Sequence, residues 1–146
     1  MKAAWPLGVD MLEWKKAKAF YKTHHKNLKG FLSSAEITYV KAAYKPYQAL
    51  AMILSAKEAV FKALGISWMG VSGFQCIEIL PAQKRFFLRL KGTFHKQFSK
   101  KTPLEMTGLA ASPTRRNQDD CGLEIFFTKS RSYVIAHCCL APCAGI

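Results

Sequence analysis

The stretch ILSAKEAVFKALG, Ile53 to Gly65, ends the longest helical pattern in the chain and constrains everything around it. From about Tyr47 to Leu64, helical spacing places Leu50, Ile53, Leu54, Phe61 and Leu64 on one face, and Gly65 stands where such a helix stops. That single apolar face packs against other elements in an α+β fold. It also carries Lys57, Glu58 and Lys62. Projected at about 100° per residue, Glu58 and Lys62 fall at the edge of the apolar stripe beside Ala51 and Ser55, whose small side chains leave room for a ligand. Lys57 projects into the middle of the face, so its amine must either snorkel outward or meet a buried anion.

Candidate strands and helices flank it on both sides in the sequence. PLGVDML, Pro6 to Leu12, is an apolar run of strand length, and EWKKAKAFYKTHHK after it has helical spacing with Trp14, Ala17, Phe20 and Tyr21 inward. Lys15, Lys18, Lys22 and Lys26 line the outer stripe of that helix, and His24 and His25 sit at its end. NLKG reads as a turn. Ser33 stands three residues before Glu36, a capping-box pattern for a second helix running to about Tyr44, closed by Pro46. After the connector ISWMGVSG, FQCIEIL and RFFLRL flank the turn PAQK as a hairpin, and LEIFFTK and YVIAHCCL flank SRS as another. GTFHKQFSKK has the pattern of a short helix, and Leu109 to Asp120 that of a polar surface loop. The expectation is an α+β fold in a single domain, 1–146, with three N-terminal helices, one of them long, packed on one mostly antiparallel sheet.

Charge narrows the partners. The chain has 22 Lys and Arg against 9 Asp and Glu, a formal charge of +13, which favours nucleic acid, an anionic membrane, or an acidic protein together with a phosphorylated small molecule. Asp10 and Glu13 interrupt the N-terminal apolar run, which therefore does not read as an export signal. The longest apolar run, Tyr133 to Ile146, falls short of the roughly twenty residues of a spanning helix. The 5 cysteines show no framework spacing; free thiols in a reducing, cytoplasmic setting are expected.

Taken alone, Glu58 and Lys62 read as an exposed i, i+4 pair worth roughly 0.2–0.5 kcal/mol. The second acid, Asp10 at the end of GVD, changes this, because two carboxylates from separate elements can hold one Mg²⁺ that completes its shell with water and substrate phosphates. Asp10 also has a plainer reading, as a cap of the first helix with Glu13 as its partner. HCCLAPC invites zinc, but strand alternation puts Cys138 on the face opposite His137 and Cys139, so the ligands do not converge. No phosphate-binding glycine loop and no nucleophile triad is present in the sequence.

GVD followed about 45 residues later by AKEAVFKALG resembles the signature of holo-acyl-carrier-protein synthases, within the 4′-phosphopantetheinyl transferase superfamily. FLSSAEITYV, CIEIL…FFLRLKG and LEIFFTKSRSYVIAHCCL resemble further segments of that family, so the likeness covers nearly the whole chain. It implies transfer of phosphopantetheine from coenzyme A to a carrier-protein serine, with release of adenosine 3′,5′-bisphosphate. By the same resemblance Asp10 and Glu58 would hold Mg²⁺, and Glu58 and Lys62 would be catalytic. Lys45, Lys57, Lys62 and Gly65 would meet coenzyme A, and Lys15, Lys18 and Lys22 would dock an acidic acyl carrier protein. A cytoplasmic homotrimer with active sites at subunit interfaces is also implied.

The sequence departs from the family at three places. Ile53 replaces an arginine that contacts coenzyme A, a role open to Lys45 or Lys57. Glu124 and Phe126 occupy strand positions that often hold histidine and small hydroxyl residues, and the glycine segment after the long helix is altered to GISWMG. Two rival readings follow. A nucleic-acid-binding module would use the lysine stripe with Phe86 or Phe126 stacking on bases, but leaves Asp10 and Glu58 unexplained. A family member that binds a carrier without transferring anything is motivated by Ile53 and Glu124.

Overall fold

A computed structural model describes residues 7–65, 71–82, 85–91 and 123–140. Strand β1 (Leu7–Glu13) leads directly into helix α1 (Trp14–His24), a 3₁₀ turn (Leu28–Gly30), α2 (Ser34–Ala42) and the long α3 (Pro46–Leu64). A short α4 (Val71–Cys76) precedes the hairpin β2 (Ile77–Ala82) and β3 (Arg85–Leu90), and β4 (Leu123–Lys129) and β5 (Tyr133–Leu140) form a second hairpin. The α+β class and the three N-terminal helices agree with the sequence reading.

Helix α3 is the axis of the molecule. Pro46 occupies its first turn, where a missing N–H costs nothing, and Gly65 ends it at φ 60°, its N–H reaching the carbonyls of Lys62 and Phe61. Of its 19 residues, 12 are buried, so other elements surround it on nearly every side. Helices α1 and α2 pack against it, as do β1, β5 and β2. Leu50, Ile53, Ala56, Ala59 and Val60 are fully buried in the principal core.

Where one sheet was expected, the described residues form two, both antiparallel: β1-β5-β4, with β5 central, and the pair β2-β3. Aromatic rings join the two sheets. Phe86 of β3 packs edge-on against Phe127 of β4 at 5.0 Å and against Tyr39 of α2 at 6.0 Å, so the hairpin meets the larger sheet through side chains.

The larger sheet has two unlike faces. Val134, Ala136 and Cys138 point into the core with no exposure. On the other face Leu7, Val9, Met11 and Phe126 remain 64%, 40%, 56% and 51% exposed, and Val9, His137 and Phe126 lie side by side across the three strands. Cys138 thus lies on the face opposite His137 and Cys139, as alternation requires, and burial pushes its thiol up to about 12.

Two local readings are corrected. Phe74–Cys76, taken as the start of a strand, ends α4 instead; Phe74 packs on Phe61 at 5.7 Å and the strand begins at Ile77. Asp10 does not cap α1: the strand continues through Glu13, which is itself the N-cap and makes no side-chain cap bond. The second helix does have its capping box, with Ser33 and Glu36 exchanging bonds of 3.3 Å and 2.8 Å. The short helix read in GTFHKQFSKK and the loop 109–120 lie outside the described residues.

Candidate functional site

Two neighbouring residues of α3, Lys57 and Glu58, serve opposite sides of the helix. Lys57 is fully buried, and its ammonium donates to Glu36 Oε2 at 2.8 Å, to the Phe74 carbonyl at 2.7 Å and to the Phe31 carbonyl at 3.2 Å. Three protons meet three acceptors. Glu36, equally buried, also accepts from the backbone N–H of Ile79 at 2.7 Å through Oε1. Burial pulls the Lys57 pKa below its ordinary value, and the Glu36 charge and hydrogen bond oppose that pull. This corrects the expectation that Lys57 contacts coenzyme A: its donors are spent inside the fold. Of the two fates open to its amine, it meets the buried anion.

On the solvent side, β1 delivers Asp10 to the last turns of α3. Lys62 Nζ donates to Asp10 Oδ1 at 2.8 Å and to the Val9 carbonyl at 3.0 Å. Glu58 is partly buried on the same turn; burial pushes its carboxyl above the usual range, the negative Asp10 pushes it further, and Lys62 opposes them. Asp10, Glu58 and Lys62 therefore share one electrostatic site at the β1–α3 junction. Gly65 follows one turn on, its N–H 3.1 Å from the Lys62 carbonyl.

Gly8 makes this approach possible. A Cβ built there would stand 1.8 Å from the Ala59 carbonyl oxygen and 2.5 Å from the Ala63 nitrogen, so only glycine lets β1 lie so close to α3. Within GVD, Gly8 carries no signal of its own in the sequence, yet its two-residue spacing from Asp10 on a strand puts both on the helix-facing side.

Other expected residues lie elsewhere. Ala51 and Ser55 leave no ligand space, because Ala51 is filled in by Ala17 and Val134, and the Ser55 hydroxyl donates to the Ala51 carbonyl at 2.8 Å. Ile53 is fully buried. Lys45, the N-cap of α3, stands 13 residues before Glu58, about 20 Å along the helix. It lines an open groove of about 400 Å³ with Tyr39, Tyr44, Gln48 and Met52. Lys15, Lys18 and Lys22 are exposed along α1. Glu124 and Phe126 sit on β4, Phe126 on the open face of the sheet.

The donor set at the β1–α3 junction suits a hard cation. Two carboxylates and a backbone carbonyl are oxygen ligands of the kind Mg²⁺ takes, and the mutual repulsion of Asp10 and Glu58 is relieved by positive charge. Among the described residues no group of three His, Cys, Asp or Glu side chains converges, so any cation here would be held by two carboxylates and would complete its shell from water and phosphate.

The model of the 4′-phosphopantetheinyl transferase superfamily matches residues 6–136. The holo-[acyl-carrier-protein] synthase of Moorella thermoacetica is 38% identical over 76 residues, 52% of this chain and 59% of that protein. The enzyme of the same name from Clostridium acetobutylicum is 41% identical over 73 residues, 50% of this chain and 58% of its own. The chain thus spans less than two thirds of the length of these relatives. In three dimensions it is similar to holo-[acyl-carrier-protein] synthase from Neisseria meningitidis, with TM-score 0.69, 18% identity, and coverage of 94% of this chain and 98% of the other. It is also similar to the Chronobacterium ammoniagenes ACPS–CoA complex, with TM-score 0.70, 20% identity and coverage of 94% and 96%. At these identities the likeness establishes the fold.

Proposed function

Because this chain belongs to the 4′-phosphopantetheinyl transferase superfamily, we propose that it transfers 4′-phosphopantetheine from coenzyme A to a serine of an apo acyl carrier protein, releasing adenosine 3′,5′-bisphosphate. The observation that carries this reading is the meeting of Asp10, Glu58 and Lys62 at the β1–α3 junction, in a fold shared with a coenzyme A complex.

Asp10 and Glu58 would hold Mg²⁺, whose chemistry is to neutralise charge developing on the pyrophosphate. Glu58, partly buried beside Asp10, is the carboxylate placed to receive the serine proton. The serine oxygen then forms its bond to the β-phosphorus as the pyrophosphate bridge breaks, and the adenosine bisphosphate leaves with the bonding pair. Lys62, half-exposed on a flexible stem, is placed to donate to phosphate oxygens.

The exposed lysines of α1 give the acidic carrier its docking surface, with encounter that slows as salt rises. The open apolar face of the larger sheet supports a homotrimer, since so much exposed apolar surface favours association. Such an assembly would let Lys45, remote from Glu58 in its own chain, serve a neighbour's coenzyme A. No helix among the described residues is long and apolar enough to cross a membrane.

One observation favours a carrier-binding protein without transfer. Ile53 is buried where the family has an arginine, and Lys57 is bonded inside the fold and cannot replace it. The carrier's covalent state decides between the readings: transfer adds one thiol to a cysteine-free carrier, titratable with a thiol reagent, and carriers that bind without gaining it support the binding-only protein.

A further inference from the structure

Lys62 does not face solvent freely. Its ammonium lies 2.8 Å from Asp10 Oδ1 and 3.0 Å from the Val9 carbonyl oxygen, two of the hard oxygens at the β1–α3 junction. Resting on the reading that Asp10 and Glu58 hold a divalent cation, we propose that Lys62 is the placeholder for that cation: it neutralises Asp10 until the metal arrives, then swings to the phosphates of the incoming coenzyme A.

Three features support an exchange over a fixed tether. An ammonium and a divalent cation repel each other, so both cannot share Oδ1 at contact distance without cost. The Lys62 side chain is 53% exposed and that of Asp10 20%, so the pair opens to water without stranding a buried charge. The other internal lysine pair of α3 shows the contrast: Lys57 and Glu36 have no exposure at all and no path to another partner. The stem of Lys62 has four rotatable carbons and starts one turn beyond Glu58. Its head can therefore leave Asp10 and stay beside the site.

The exchange couples the two ligands. Without coenzyme A, the metal must displace Lys62 with nothing to receive it; with coenzyme A present, the freed ammonium gains phosphate oxygens. Metal and coenzyme A should then strengthen one another's binding, reciprocally, and part of that coupling should belong to Lys62.

The test uses Mn²⁺ as probe, with the free-ion EPR signal reporting binding to the full chain. In the absence of coenzyme A, Lys62→Met should bind Mn²⁺ about 1.5-fold to fivefold tighter than wild type, the range expected from removing a partly exposed competing pair. Lys41→Met, which removes a charge from exposed α2, should not change the affinity. Asp10→Asn in the Lys62→Met background should abolish the gain. Adding coenzyme A should tighten Mn²⁺ binding more in wild type than in Lys62→Met. A Lys62→Met variant that binds no tighter than wild type, or an equal gain from Lys41→Met, overturns the placeholder; if Asp10→Asn still removes binding, the cation site itself stands. Absence of Mn²⁺ binding in every variant, with or without coenzyme A, overturns both.

Discussion

Gly8 and Ala59 approach so closely that a methyl group on Gly8 would lie 1.8 Å from the Ala59 carbonyl oxygen. Backbone cannot yield as a side-chain tip can. Gly8→Ala should therefore lift β1 from α3, costing about 1–3 kcal/mol of stability through overpacking and weakening the Asp10–Lys62 contact. Urea unfolding measures the first effect, and transfer to a carrier the second; unchanged values in both would refute the close approach.

Lys57 and Glu36 form a buried pair at 2.8 Å that ties α3 to α2, while their remaining bonds reach Phe31, Phe74, Ile79 and Ser33. Lys57→Met or Glu36→Gln alone should cost about 3–5 kcal/mol, because each leaves a buried charge without its counter-charge. The double variant should cost clearly less than the sum of the two, which a double-mutant cycle in urea would show.

Glu78 contributes a pH dependence on the acid side. Burial pushes its carboxyl up, but hydrogen bonds from Ser33 and Lys91 and the charges of Lys91 and Arg89 outweigh that and hold it below its ordinary value of 4.5. A carboxyl with a lowered folded pKa stabilises the protein above the unfolded pKa, and that contribution disappears as pH falls through the lower folded value. Glu78→Gln should thus be less stable than wild type at pH 7, with the gap closing towards pH 3, as measured by unfolding at the two pH values.

The open sheet face should govern assembly. Phe126 is 51% exposed beside His137, with Val9 on the far strand, and Phe126→Lys places a charge on the β4 side of that apolar surface. Light scattering after size exclusion should then show a threefold lower mass than wild type. Identical masses for the two would remove this face as the trimer contact.

Much of this architecture was legible in the sequence because its signals are local. Gly65 as a stop, the Ser33–Glu36 capping box and the alternation in YVIAHCCL each depend on near neighbours, and each stands in the structure. What escaped depended on contacts across the fold. That the Lys57 amine must snorkel outward or meet a buried anion could be read from its place on the apolar face, but that it meets Glu36 depends on how α2 lies against α3. Ala51 and Ser55 looked like ligand space because small side chains mark close packing as readily as vacancy. A six-residue helix at Val71–Cys76 is too short for periodicity to declare it. In the candidate site, Asp10, Glu58 and Lys62 stood out as charges in apolar runs; Gly8 did not, since its role is to have no side chain.

Transfer itself is read by intact mass spectrometry of an apo acyl carrier protein incubated with coenzyme A, Mg²⁺ and this protein. The account predicts a gain of roughly 340 Da on the carrier, the mass of one phosphopantetheine added to serine, and its loss when Glu58→Gln replaces the wild type. An unmodified carrier with wild-type protein, across several acidic carriers, would contradict it.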